Sequence, residues 1–318
     1  MISVIIPSNL DERLQWLKHA LMFLFANGFE GEVLVGVWGG HTHISGLKAS
    51  FPKVRFFEHD AAHNFTARSL ELAHVSTGDY LIQIGDDDFL VPETLVKLAE
   101  MLQKHPYVFA VQGRTLQITH DPYNLITFPM WPANESTALT RFSKYCTQTG
   151  QIFHAMLRRA DFIERLEYMD RAMAYTKNHI WFEIIGDFYC VIKNRFIITD
   201  DVFILRSKHP GNTSRGLIKN DFENMFPHYV LSPQFSDHYQ FFQKELFSIF
   251  QSKGVNASAS EIRREIQVGF LNLLWTLIYG RRVTVSPGEK AFEEKCAAKH
   301  PDIAQLVEMV ADAKPRVG

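Results

Sequence analysis

The chain has 318 residues, 46% of them hydrophobic, enough for a large core in one large domain with an appendage or in two domains. A formal charge of −2 and the lack of a long basic run give no reason to expect a nucleic-acid partner. Cys146, Cys190 and Cys296 are odd in number and far apart, so they support neither a disulfide framework nor a zinc site and point to a reducing cytoplasm. Met1 leads straight into a strand-like run, without the charged and apolar regions of a signal peptide. The longest apolar segment, Phe270 to Tyr279, carries Asn272 and Thr276 and is too short to span a bilayer.

In chain order, Ile2 to Ile6 is a β-branched run closed by Pro7, which predicts a first buried strand; Ser8, Asn9 or Asp11 can cap the helix after it. Leu14, Leu17, Leu21 and Leu24 keep a helical period. Val33 to Val37 reads as a second strand, broken by Gly39-Gly40, and Val54 to Phe57 as a third. Thr66 to Val75 reads as a helix, Tyr80 to Ile84 as a strand, and Pro92 suits the first turn of a helix whose apolar face is Leu95, Leu98, Ala99 and Leu102. Strands that alternate with helices argue for a parallel sheet flanked by helices. Ligands in such sheets bind beyond the carboxyl ends of the strands. Pro7-Ser8, Gly39-Gly40 and the acidic run Asp86-Asp87-Asp88 all fall at such ends.

The acidic run carries the chemistry. On an extended chain Asp86 and Asp88 point to one side and Asp87 to the other. Two carboxylates on one side can share a hard divalent cation, Mn²⁺ or Mg²⁺. Taken alone, the three residues also read as a solvated turn that caps the next helix.

The wider order, Gly78, Tyr80, an apolar strand, Asp86 to Asp88, Phe89 and Pro92, resembles the family 2-like glycosyltransferases of the GT-A fold. The resemblance covers roughly the first two-thirds of the chain. It implies an α/β fold: a GT-A-type, Rossmann-like, mostly parallel sheet flanked by helices, here with a C-terminal helical appendage. Residues 1–216 would be the catalytic domain and 217–318 the helical region. It implies a metal-bound nucleotide-sugar donor, with Pro7 and Ser8 at the end of the first strand holding the nucleotide. Ala67-Arg68 match a family pair, so Arg68 is expected on the donor or the acidic cluster, or else as a surface arginine. Asp87 and Asp88 match the last two positions of the family's Asp-x-Asp-Asp. Asp88 is then the best metal ligand and Asp87 lies near the ribose or metal. Asp86 is an extra carboxylate that can join either the donor or the metal. Two departures stand out. Gly85 occupies the first acidic position, and Val37-Trp38-Gly39-Gly40 replaces the acid usual after the second strand. Trp38 can stack on a base or simply pack.

Val108 to Thr119 reads as a strand, Pro122 to Pro132 as a hairpin or loop with Phe128, Met130 and Trp131 on it, Phe142 and Tyr145 as part of a helix, and Ile152 to Leu157 as a short strand. Then His179, Trp181, Phe182, Glu183 and Asp187 fall within three helical turns, and Glu183 and Asp187 share a face at i, i+4. An inverting transfer needs a carboxylate to take the acceptor's proton. The family supplies its base from this region, so Glu183 is the first candidate and Asp187 the second, against two exposed helix acids. Phe196 to Leu205 reads as a strand that contains Asp200-Asp201. The run from Arg206 to Arg215 holds cations, His209, Pro210 and Gly211, a composition that suits an anion-seeking loop. Similar enzymes close such a loop over the donor's diphosphate, which assigns Arg206 and Arg215 to phosphate and His209 to phosphate or metal; a solvated loop is the competing reading.

Phe235, Tyr239, Phe242, Leu246 and Phe250, and then Ile262, Ile266, Phe270 and Leu273, keep helical spacing; Pro287 precedes a last helix, Glu289 to Ala313. These helices can pack on the first domain, form a homodimer, or meet a lipid-linked acceptor at a membrane, where Trp275, Tyr279, Arg281 and Arg282 would suit an interface. The expected protein is a cytoplasmic, metal-dependent, inverting glycosyltransferase of surface polysaccharide synthesis, working on a glycan or lipid-linked acceptor at the inner face of the membrane. A nucleotidyltransferase is one rival, although Ser8-Asn9-Leu10-Asp11 is no Gly-rich triphosphate loop. A catalytically silent sugar-binding or scaffold protein on the same fold is the other.

Overall fold

The computed structural model describes residues 1–39, 41–60, 63–120, 123–127, 131–147, 152–177, 179–208 and 233–279. The segments expected to hold Gly40, His209 to Arg215, the 216/217 domain boundary and Glu289 to Ala313 lie outside these residues.

The first strands and helices form where the apolar pattern places them. β1 (Ile2–Asn9) leads into α1 (Leu10–Ala26), and β2 (Glu32–Trp38) runs through one 3-10 turn into α2 (Ile44–Ser50). β3 (Val54–Glu58), α3 (Phe65–Val75) and β4 (Tyr80–Gln83) come next. The Asn64 side chain accepts a hydrogen bond from the Ala67 N–H and caps α3. β1 pairs in parallel with β2 and with β4, and β2 with β3, so these four strands end along one edge.

Past that edge the chain turns through Asp86-Asp87 into the short β5 (Asp88–Leu90) and then α4 (Pro92–Lys104), with Pro92 in its first turn as expected. β6 (Val108–His120) and β7 (Tyr123–Thr127) form an antiparallel hairpin, and α5 (Ala138–Thr147) lies beyond it in the chain. β8 (Met156–Arg158) is shorter and later than the predicted strand, so Ile152 to Ala155 form a turn. Two helices come after it, α6 (Arg159–Thr176) and α7 (His179–Lys193), with Lys177 in the left-handed region at φ 51° ending α6. β9 (Arg195–Lys208), α8 (Pro233–Ser252) and α9 (Ala259–Tyr279) complete the described chain. The nine strands form one sheet in the order β3-β2-β1-β4-β8-β6-β9-β5, with β7 on the flank of β6. β8 joins β4 and β6 antiparallel, β9 runs parallel to β6, and β5 runs antiparallel to β9.

Apolar side chains fill both faces. One cluster joins β1 and β2 to α1 and α4. The larger one joins α5, α6 and α7 to α8 and α9. Trp181 of α7 stacks on Phe270 of α9 with centroids 5.7 Å apart and lies 4.9 Å from Phe242 of α8. The aromatic stripes read from the sequence therefore bury against the α/β part, and they hold α7 in place. Truncating such a buried aromatic typically costs about 3–5 kcal/mol. Among the described residues no helix is long and apolar enough to cross a membrane.

Candidate active site

The carboxyl ends of β1 and β4 bring two sequence-predicted groups together. Ser8 Oγ donates to Asp86 Oδ2 at 2.6 Å. Arg13, on the first turn of α1, donates from Nη1 to Asp87 Oδ2 at 3.0 Å, and both partners are buried. Asp88 opens β5 and pairs directly across from Arg206 of β9. Directly opposed residues share a face of the sheet, and Arg206 Nε lies 3.7 Å from Asp88 Oδ1. On the other side of Asp88 stands His154, with Nε2 3.9 Å from Asp88 Oδ2 and Nδ1 2.9 Å from the Gln83 carbonyl oxygen.

The turn replaces the alternation expected of an extended chain, because Asp86 and Asp87 take a tight bend before β5 begins. Gly85 makes room for it. A Cβ there would lie 2.8 Å from Asp87 Oδ1 and 3.2 Å from Asp88 Oδ2. The missing acid at position 85 thus has a steric cause: the bend folds two carboxylates back over that residue.

All three aspartates are buried. Burial first, and the neighbouring Asp87 charge, hold the carboxyl groups of Asp86 and Asp88 above the ordinary carboxylate range; Ser8 and Arg13 pull Asp86 back, and Arg206 and Arg13 pull Asp88 back. Among the described residues, Arg206 and Arg13 are the cations whose charge lowers the Asp88 carboxyl. This donor set, oxygen-rich and buried, fits a hard divalent cation.

A model of glycosyl transferase family 2 matches residues 42–166, which takes in Arg68 and Asp86 to Asp88 and ends before Glu183. The fold is similar to that of TarS from S. aureus. A crystal structure of TarS 1-349 superposes with a TM-score of 0.56 at 15% identity, covering 98% of this chain and 82% of that one. A longer TarS structure gives 0.55 at 14% identity, covering 98% of this chain and 50% of that one. TarS 1-349 in complex with UDP-GlcNAc gives 0.55 at 15% identity, covering 96% and 81%. Comparison with curated protein sequences finds no match. The matched segment, residues 42–166, is similar to glycosyl transferase family 2, and the fold around it is similar to that of TarS.

The two acids of α7 stand in different surroundings. Asp187 is buried; Tyr145 Oη donates to its Oδ2 at 2.6 Å, the Ile152 N–H to the same oxygen at 3.4 Å, and Arg165 Nη2 lies 3.5 Å from Oδ1. Burial pushes its carboxyl up to about 6, with Arg165 and Tyr145 opposing. Glu183 is exposed to solvent. The protein around it pushes its carboxyl up to about 7, the Asp187 charge adds to this, and Arg206 opposes. The Arg206 charge acts on Asp88, His154 and Glu183 alike, so these three groups lie within electrostatic reach of one guanidinium.

Arg68 is buried on α3, with its guanidinium 3.8 Å above the Trp38 ring and Nη2 donating to the Asp60 carbonyl at 3.1 Å. Trp38 therefore stacks on Arg68, and it is Arg13 that reaches the acidic run. Pro7 sits inside β1, paired with Gly36. Arg215 and His209 lie outside the described residues. Past the end of β3, His59, His63 and Glu71 bring one ligand atom each within 4.8 Å of one another, a second group able to hold a metal ion.

Arg13 and His154 were missed in the sequence. Arg13 carries a legible signal, because it stands three residues after Leu10 and four before Leu17, inside the buried stripe of α1. A cation in an apolar stripe asks for a buried anion. His154 sits in a turn without periodicity and gives no such signal.

Proposed function

We propose that the enzyme moves a sugar from a nucleotide-sugar donor to an acceptor hydroxyl with inversion, using Mn²⁺ or Mg²⁺ held by Asp88 and Glu183 as the base. What supports this most is one observation: Arg206, 3.7 Å from Asp88, also acts on the carboxyl of Glu183, the exposed acid of the α7 pair. The UDP-GlcNAc complex of TarS supports a uridine diphosphate sugar as the first donor to try.

In the transfer the acceptor oxygen forms a bond to the anomeric carbon, and the bond from that carbon to the diphosphate oxygen breaks. The acceptor proton passes to the Glu183 carboxylate, and the electron pair leaves with the nucleoside diphosphate. The cation, when bound, supplies Lewis-acid stabilisation of that leaving charge. Arg206 at the end of β9, and Arg215 beyond the described residues, are the proposed partners of the diphosphate oxygens. Ser8, Asp86 and Asp87 border the nucleotide, with Ser8 fixing Asp86 and Arg13 fixing Asp87. His209 is kept as a phosphate or metal partner. The acceptor is proposed to be a glycan or lipid-linked sugar of surface polysaccharide synthesis.

A thermal-shift screen of nucleoside diphosphates, nucleoside triphosphates and nucleotide sugars, with and without Mn²⁺, tests the reading. A bound ligand raises apparent stability by mass action, by about 2.7 kcal/mol at a hundredfold excess over Kd. A shift that needs both a nucleotide sugar and the cation is the expected result. A shift with nucleoside triphosphates alone would favour nucleotidyl transfer instead.

A further inference from the structure

His154 and Asp88 meet in an arrangement that their own atoms do not complete. A carbonyl oxygen can only accept, so the 2.9 Å contact to the Gln83 oxygen places the ring proton on Nδ1. In the neutral ring Nε2 is then a lone pair, and it faces Asp88 Oδ2 at 3.9 Å. Two acceptors confront each other in a buried place, and the gap is too long for a hydrogen bond. It is short enough for both atoms to touch one cation, since ligand bonds from nitrogen and oxygen run about 2.0–2.2 Å each.

We propose that His154 Nε2 is a ligand of the same divalent cation as Asp88; this rests on the reading of Asp88 as a metal ligand. Three features converge on it. The ring is buried and its orientation is fixed by the backbone at the end of β4. Metal-binding histidines commonly donate their second nitrogen to a backbone carbonyl in this way, which locks the tautomer. Asp86 and Asp87 are drawn toward Ser8 and Arg13, which leaves Asp88 as the carboxylate turned to His154. A mixed nitrogen and oxygen shell would shift the site away from Mg²⁺ and toward Mn²⁺, because imidazole suits the softer ions better. A bridging water that donates to both atoms is the competing occupant.

The test is Mn²⁺ binding to the UDP-saturated protein, followed by electron paramagnetic resonance with ¹⁴N electron-spin-echo modulation. Wild type, H154Q, H154A, H209A and D88N are compared, and circular dichroism with thermal unfolding in chelator reports whether each variant keeps its fold. The expected result is nitrogen modulation in wild type that falls in depth in both His154 variants, with Mn²⁺ affinity down by about tenfold or more. The ratio of Mn²⁺ to Mg²⁺ affinity should fall with it. Bound Mn²⁺ with no nitrogen modulation, or modulation and affinity unchanged in H154Q and H154A, would overturn the assignment while leaving Asp88 as a ligand. A wild-type protein that binds no Mn²⁺, or a D88N variant that binds it normally, would overturn the metal reading itself and this inference with it.

Discussion

Glu183→Gln is the perturbation whose consequences run in opposite directions for activity and stability. The variant keeps the side chain's shape and removes the proton acceptor, so turnover should fall by about a hundredfold or more while donor affinity stays the same. The sign of the stability effect comes from the raised carboxyl. The unfolded chain ionises near the ordinary value of 4.5, and the folded protein holds the proton to about 7. Between those values the folded state binds more protons than the unfolded one, so Glu183 lowers stability progressively as pH rises through that window and by a constant amount above it. A shift of this size in a fully buried group would be worth about 3 kcal/mol. Glu183 is open to solvent, so screening reduces it, and we expect the variant to gain about 1 kcal/mol over wild type at pH 8 and nothing at pH 4. Denaturant unfolding at both pH values measures the gain, and single-turnover kinetics with saturating Mn²⁺ measures the loss. In wild type kcat/KM should fall about tenfold per pH unit below about 7. Wild-type turnover in the variant, or a stability difference independent of pH, would refute the assignment of Glu183 as the base.

Asp187→Asn should keep most turnover, because Asp187 is buried and held by Tyr145 and the Ile152 N–H; a loss of turnover as large as that of Glu183→Gln, with stability intact, would exchange the roles of the two acids. Arg13→Met leaves Asp87 buried without the Arg13 ion pair and should cost about 3–5 kcal/mol, of which the double variant Arg13→Met with Asp87→Asn recovers part; additive losses in the double-mutant cycle would show that the pair is not coupled. Asp86→Asn keeps an acceptor for Ser8 Oγ and should weaken donor binding less than Asp88→Asn, as calorimetry with Mn²⁺ can measure; equal losses would make Asp86 a ligand of the same rank.

Local signals carried much of this structure. Apolar runs and glycine breaks located β1 to β4, and Pro92 marked the start of α4 because its missing N–H has no partner in a first turn. The acidic run was legible as a site because it comes after a buried strand. Its geometry was not, because the bend at Asp86-Asp87 depends on Gly85 and on partners about seventy-five residues away in sequence, Ser8 and Arg13. Helix α6 went unread because Arg165 interrupts its apolar stripe of Phe162, Leu166, Met169 and Ala172; that cation is buried against the Gly186 and Phe153 carbonyls. The antiparallel joins of β5 and β8 were also hidden, since three-residue strands have too few positions to show a period. The choice of Glu183 over Asp187 came from the family pattern; that Glu183 is exposed and Asp187 buried could not be read from two acids on one helix face.

The central claim is that a nucleotide-sugar donor binds through a cation held at Asp88. Calorimetric titration of the donor from the screen into wild type with Mn²⁺, wild type with chelator, and Asp88→Asn with Mn²⁺ tests it most directly. The account predicts tight binding in the first case, and in the other two a loss of about tenfold or more to similar affinities. Equal affinity in all three titrations would contradict it.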